Sequence, residues 1–226
     1  MRISAANCVT LVRLVLAFVL FGLLSVYSSV DDDTHFILAI SFWVLLVGVT
    51  SDALDGYLAR SLDQITSFGR VVDPVVDKIT VLGTFIFLAG PQFYDYSAAP
   101  ARVITDVQVW MVVVILVREL LVSAIRSHGE AQGVDFSADW TGKIKMVVQS
   151  TAVCYILGQL AWYPDDEYPR MALGRTALVW ATVVVTVLSL ITYAGRARQF
   201  LFTREALAGT PPPASPSDSD AADGES

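Results

Sequence analysis

Six stretches of this chain contain no Asp, Glu, Lys or Arg: residues 14–30, 34–51, 79–94, 107–117, 146–164 and 176–195. A bilayer core is crossed by roughly 20 mostly apolar helical residues, and four of the runs approach that length unaided. The third reaches it by taking in residues before Ile79, and the fourth by continuing through Arg118 and Glu119 to about Ile125. The pattern predicts an all-α integral membrane protein with six transmembrane helices. Composition agrees, with 54% of the 226 residues hydrophobic and 16% charged. Soluble domains run nearer 45–50% and about 25%. An ordinary soluble enzyme, a disulfide scaffold and a disordered chain are therefore poor fits. Cys8 and Cys154 sit in apolar runs and read as small buried hydrophobes. The net charge of −7 argues against a nucleic-acid partner.

Orientation follows from the basic residues in the connections. With the N-terminus in the cytoplasm, 12 of the 15 Lys and Arg fall on the cytoplasmic side, leaving Arg102, Arg170 and Arg175 opposite. That places both termini on the cytoplasmic side of a cell membrane. Trp162, Tyr163 and Tyr168 suit an outer interfacial belt. From Ala206 the composition turns to Pro, Ser, Ala and Asp, which cannot bury enough apolar area to order itself. The expected organisation is a membrane domain over 1–205 and a disordered, acidic cytoplasmic tail over 206–226.

The chemistry lies between the second and third apolar runs, in SDALDGYLARSLDQITSFGRVVDPVVDKI. Asp52 and Asp55 share a face of a continuing helix, as do Asp73 and Asp77. Four carboxylates gathered at a membrane surface repel one another unless cations intervene. Oxygen donors suit two divalent ions, Mg²⁺ or Mn²⁺, and His or Cys ligands for zinc are absent from the segment. Gly56, Ala59 and Gly69 leave the helix faces bare for a ligand, and Arg60 is a natural diphosphate partner. For Asp73 alone a second reading stays open, as the N-cap of a helix opening at Pro74.

Eight positions in 26 residues (Asp52, Asp55, Gly56, Ala59, Arg60, Gly69, Asp73 and Asp77) fill the pattern of the CDP-alcohol phosphotransferase family, which this segment closely resembles. The resemblance implies six transmembrane helices, a cytoplasm-facing site and a homodimer. It implies that Asp52, Asp55 and Asp73 hold metals, with Asp77 completing the second site and acting as the catalytic base. Gly56, Ala59, Arg60 and Gly69 would then receive the CDP moiety of CDP-diacylglycerol among the membrane lipids.

Three more clusters bear on the acceptor. Arg118 and Arg126 lie two turns apart on one helix face, with Ser123 between; Lys143 and Lys145 open the fifth apolar run; Asn7, Thr10 and Arg13 recur at three-residue steps. Arg118 and Arg13 fall in apolar context, where a cation needs an anion. Glu119 is adjacent to Arg118, and adjacent helix residues do not face each other, so the expected partner is a second phosphate, on the acceptor. Arg118, Arg126 and Lys143 are the expected phosphate ligands, with Asn7, Thr10, Arg13, Ser123 and Lys145 as polar lining. The arrangement resembles the branch of the family that takes glycerol 3-phosphate, whose fourth helix carries Arg-Glu, Ser and Arg and whose fifth opens Gly-Lys-x-Lys. Met146 stands where that branch has Thr, and an inositol-phosphate acceptor stays open. A different class, a small transporter with an acidic ion site, would place its acids near the midplane; here they crowd one end of the spans.

Overall fold

The computed structural model describes residues 5–30, 34–62, 67–97, 99–131, 140–163, 165 and 167–208; side chains are described for residues 10–30, 34–51, 75–76, 78–97, 99–129, 140, 142–163, 165 and 167–195. Six α-helices follow in order: α1 Ala5–Val26, α2 His35–Leu62, α3 Ser67–Leu88, α4 Val109–Ala131, α5 Trp140–Trp162 and α6 Pro169–Ala208. Each contains much of one charge-free run, because a backbone deprived of water must satisfy its N–H and C=O groups within the helix. Two departures from the expected boundaries matter. α2 continues beyond its apolar run to Leu62, carrying Asp52 to Arg60 on helical backbone. α3 ends at Leu88 and gives way to a 3₁₀ turn, Pro91–Phe93.

The fold is also not purely helical. β1, Tyr94–Asp95, pairs antiparallel with β2, Arg102–Val103, matching Tyr94 with Val103 and Asp95 with Arg102. A β-favouring pair and an opposite-charge pair face one another across this short ladder. It ties down the connection between α3 and α4.

Helical spacing explains the core. Leu20 and Leu24 descend one face of α1 toward the adjoining Tyr27, while Ala152, Val153, Ile156 and Leu157 form a stripe on α5. They join Leu38 and Leu45 of α2, Phe85 and Leu88 of α3, Met111 and Ile115 of α4, and Val179 and Val183 of α6. α1 packs on α2 and α3, and α2 packs on α5. Small residues permit close approach: a Cβ at Gly158 would stand 3.1 Å from the Phe42 ring, and one at Gly83 would run into Phe21. Threonines inside these helices return their hydroxyls to the carbonyl four residues back, as Thr84 does to Thr80 at 2.7 Å and Thr182 to Leu178 at 2.9 Å.

The outward faces are apolar too. Phe18, Phe36, Trp43, Leu120, Val147, Trp180 and Leu188 are all exposed, which in water would be a large unfavourable patch. Two stretches, Gly142–Trp162 and Pro169–Gly195, are long and apolar enough to cross a membrane; Thr10–Val26, His35–Ser51 and Lys78–Leu88 are shorter apolar segments. The chain divides into two units, Met1–Leu190 and Ile191–Ser226. The second begins within α6; residues 209–226, most of the expected tail, lie outside the described residues.

In the first unit, Arg175 of α6 is 2% exposed. Its Nε donates to Asp106 Oδ2 at 3.0 Å, and its Nη1 to Gln159 Oε1 at 2.6 Å. Asp165 takes Nη1 and Nη2 on its two oxygens. Arg175 therefore serves as a buried fastener, beyond its part in the charge asymmetry. Burial alone would raise the Asp165 carboxyl, but hydrogen bonds from Arg175 and Gln159 outweigh it and hold Asp165 below the ordinary carboxylate value.

Candidate active site

α2 carries Asp52, Asp55, Gly56, Ala59 and Arg60 on its last turns, and α3 carries Gly69, Asp73 and Asp77. The helical backbone keeps each Asp pair on one face. The side chains of these eight residues, and that of Asn7, lie outside the described residues. The N-cap reading of Asp73 is excluded, because α3 begins at Ser67 and Asp73 lies inside the helix. Among the described residues no group of three or more His, Cys, Asp or Glu could hold a metal ion.

Immediately after Asp77, the exposed Lys78 reaches α4. Its Nζ donates to Ser123 Oγ at 2.6 Å, so the aspartate-bearing helix is tied to α4 at the residue between Arg118 and Arg126. Ser123 was expected as polar lining, whereas Lys78 is one of the 12 basic residues counted on the cytoplasmic side. Its proximity to Asp77 was the available signal, but periodicity does not say which neighbouring helix a lysine meets.

Arg118 is 6% exposed and is not left to a phosphate alone. Its Nη1 donates to Glu119 Oε1 at 2.9 Å, and its Nη2 to Ser189 Oγ of α6 at 2.5 Å. The expectation that neighbours on a helix cannot pair fails here for a physical reason. Both side chains are long and flexible, and Lys145 of α5 draws the same carboxylate oxygen into the bundle through its own hydrogen bond. Arg118 Nε remains buried with no hydrogen-bond partner, as does Arg126 Nε. Arg118, Lys145 and Glu119 together thus retain one positive charge in excess, and Arg118 and Arg126 each keep one buried, unused Nε–H.

The two lysines of α5 separate. Lys145, expected as lining, is the buried partner of Glu119, and Gln149 one turn on donates to Thr186 of α6 at 3.3 Å. Lys143 is exposed, its ammonium 5.4 Å from the centre of the Trp140 ring; nothing joins it to Arg118. Two positions apart on a helix are about 200° apart, so one lysine turns inward when the other turns out. Thr10 and Arg13 are both buried on α1. Glu119 and Ser189 are the members of the cluster that sequence reasoning missed: a serine in a long apolar helix carries no signal until its neighbour is known.

The arrangement can bind anions. Basic residues with unspent donors stand on α4, which is hydrogen-bonded across to the helix that bears Asp73 and Asp77. A family model described as CDP-alcohol phosphatidyltransferase matches residues 3–188. The chain is 32% identical, over 73% of its length and 77% of the relative's, to the CDP-diacylglycerol–glycerol-3-phosphate 3-phosphatidyltransferase of Bacillus subtilis. It is 29% identical to the protein of that name from Haemophilus influenzae, over 85% of this chain and 92% of the relative. It is also 29% identical to a probable phosphatidylglycerophosphate synthase of Mycobacterium tuberculosis, over 86% and 81%. With the match spanning five helices and half of the sixth, and the eight-residue signature lying inside it, this chain belongs to the CDP-alcohol phosphatidyltransferase family.

Proposed function

We propose that this protein is a multi-pass membrane enzyme that transfers a phosphatidyl group from CDP-diacylglycerol to sn-glycerol 3-phosphate, releasing CMP. The observation that carries the acceptor half is the Lys78–Ser123 hydrogen bond beside two buried, unpartnered Nε–H groups on Arg118 and Arg126. An acceptor with a phosphate of its own answers both the unspent donors and the excess charge. The relatives' names, which specify glycerol 3-phosphate, support the same choice over inositol phosphate.

In this reading the acceptor hydroxyl oxygen attacks the lipid-linked phosphorus, the bond from that phosphorus to the CMP oxygen breaks, and Asp77 takes the hydroxyl proton. Asp52, Asp55, Asp73 and Asp77 would hold two divalent cations, and as a purely carboxylate donor set they fit Mg²⁺ or Mn²⁺. When bound, such ions neutralise the diphosphate and stabilise the departing CMP. Gly56, Ala59, Arg60 and Gly69 would receive the CDP moiety. Arg118 and Arg126 would fix the acceptor phosphate, with Lys143 as a third, outer cation. Thr10, Arg13, Asn7 and Ser123 would line the site, while the charge of Lys145 is matched by Glu119.

Six crossings, cytoplasmic termini and a cytoplasmic site complete the proposal. They are supported by the uneven Lys and Arg distribution, the outward apolar faces, and the half-exposed Trp162, Tyr163 and Tyr168 at one end of α5 and α6. A homodimer, a membrane domain over 1–205 and a disordered tail belong to it as well. The deciding experiment is CMP release by purified protein from CDP-diacylglycerol and Mg²⁺ with a panel of acceptors. Turnover should require glycerol 3-phosphate. Equal turnover with glycerol or inositol phosphate, or no metal-dependent CMP release at all, would refute the assignment.

A further inference from the structure

Glu119 is a carboxylate 5% exposed that accepts hydrogen bonds from cations on two helices, Arg118 Nη1 and Lys145 Nζ. Ser189 on α6 accepts from Arg118 Nη2. Both terminal nitrogens of the guanidinium are thereby held. A planar guanidinium fixed at two corners cannot swing about its own plane, so the direction of its third donor, Nε–H, is set. That donor is the one buried without a partner. Lys145, a further buried cation beside it, is neutralised by the same carboxylate, so the surplus charge of the cluster rests with Arg118.

We infer that Glu119 is a positioning residue for the acceptor: it cancels Lys145 and orients Arg118 so that Nε–H donates to the phosphate of glycerol 3-phosphate. The inference rests on the acceptor reading above. It differs from the simpler role of a counter-ion holding α4 to α5. A counter-ion needs only charge, whereas a positioning residue needs an oxygen at the place where Arg118 Nη1 ends.

The test uses the purified full chain with Mg²⁺, varying each substrate in turn and following the thermal midpoint in detergent. The parent protein, assayed with glycerol 3-phosphate against glycerol, judges the acceptor reading independently of any variant. Glu119→Gln keeps an acceptor oxygen and loses the charge. It should lower the midpoint while the KM for glycerol 3-phosphate moves less than about 1.5-fold from the parent. Glu119→Ala combined with Lys145→Met removes one charge of each sign and leaves Arg118 without that oxygen. Its midpoint should exceed that of Glu119→Ala alone, while its acceptor KM is raised about tenfold or more and its KM for CDP-diacylglycerol moves less than twofold. Ser189→Ala, a milder change at the other corner, should raise the acceptor KM about threefold without unfolding the protein. A parent-like acceptor KM in Ser189→Ala and in the double variant would overturn the inference. So would acceptor KM values that track the thermal midpoint across the series, or equal rises for both substrates.

Discussion

Arg175 and Asp165 form a two-pronged ion pair, Nη1 to Oδ1 and Nη2 to Oδ2, both at 2.9 Å, joining α6 to the loop that precedes it. Because Arg175 is almost wholly buried, losing its carboxylate partners is costly, whereas an exposed pair would be nearly neutral. Arg175→Met leaves Asp106 with the Thr176 hydroxyl alone and Asp165 with the exposed Arg102, 3.5 Å away, as its remaining cation. Breaking a buried pair from one side costs about 3 kcal/mol, which corresponds to a fall in thermal midpoint of about 6–12 °C for a chain of this size. A midpoint unchanged in detergent would show that the cluster does not hold the loops.

The same pair gives a pH dependence. Asp165 has its carboxyl held low in the folded protein, so its contribution is fully present above the unfolded carboxylate value and is lost as pH falls through the lower, folded one. The parent protein should lose stability on acidification below about pH 4. Asp165→Asn should start less stable at neutral pH and show a shallower acid loss. Parallel acid profiles for the two proteins would remove Asp165 from the linkage.

Arg118→Ala should separate binding from folding. Its removal leaves Glu119 paired with Lys145, so the remaining cluster is neutral and the helices retain their ion pair. The acceptor KM should rise about ten- to hundredfold, the loss of a charge-assisted contact worth about 1.5–3 kcal/mol. Arg118→Lys should rescue only partly, because one ammonium cannot reach two corners and a phosphate together. Lys143→Ala, at an exposed position stacked over Trp140, should have the smaller effect. Kinetics with each substrate varied in turn would expose the reverse order.

Asp77→Asn should lower turnover by about 10²–10⁴-fold, the range for a lost general base. CDP-diacylglycerol should still bind in the presence of Mg²⁺, whereas Asp55→Asn should weaken metal dependence and nucleotide binding together. Equal loss of nucleotide binding in both would leave Asp77 without a role apart from the metal.

Topology can be read with single cysteines in a protein lacking Cys8 and Cys154. Val30 and Trp140 are each 75% exposed, one after α1 and one at the start of α5. A membrane-impermeant thiol reagent added to whole cells should label Val30→Cys and not Trp140→Cys. The opposite pattern would invert the orientation.

How much of this was legible beforehand depended on the range of the interaction. Charge-free runs specify helices because the backbone satisfies itself locally, and all six appeared where those runs lie. The signature from Asp52 to Asp77 names the family because its spacing is a property of the chain alone. Ends of elements were less legible: α3 stops at Leu88 where Pro91 and the β1–β2 ladder take over, and α3 starts early enough to make Asp73 internal. The pairing of charges was decided only by tertiary structure. Lys143 and Lys145 are equivalent in composition, yet packing turns one toward Trp140 and the other into Glu119. Ser189 gains a role only because α6 lies against α4 there. Long side chains reach across several ångströms, so helical phase restricts the face of a cation but not its partner. For Arg118 that partner includes its own neighbour, Glu119, which α5 holds in place.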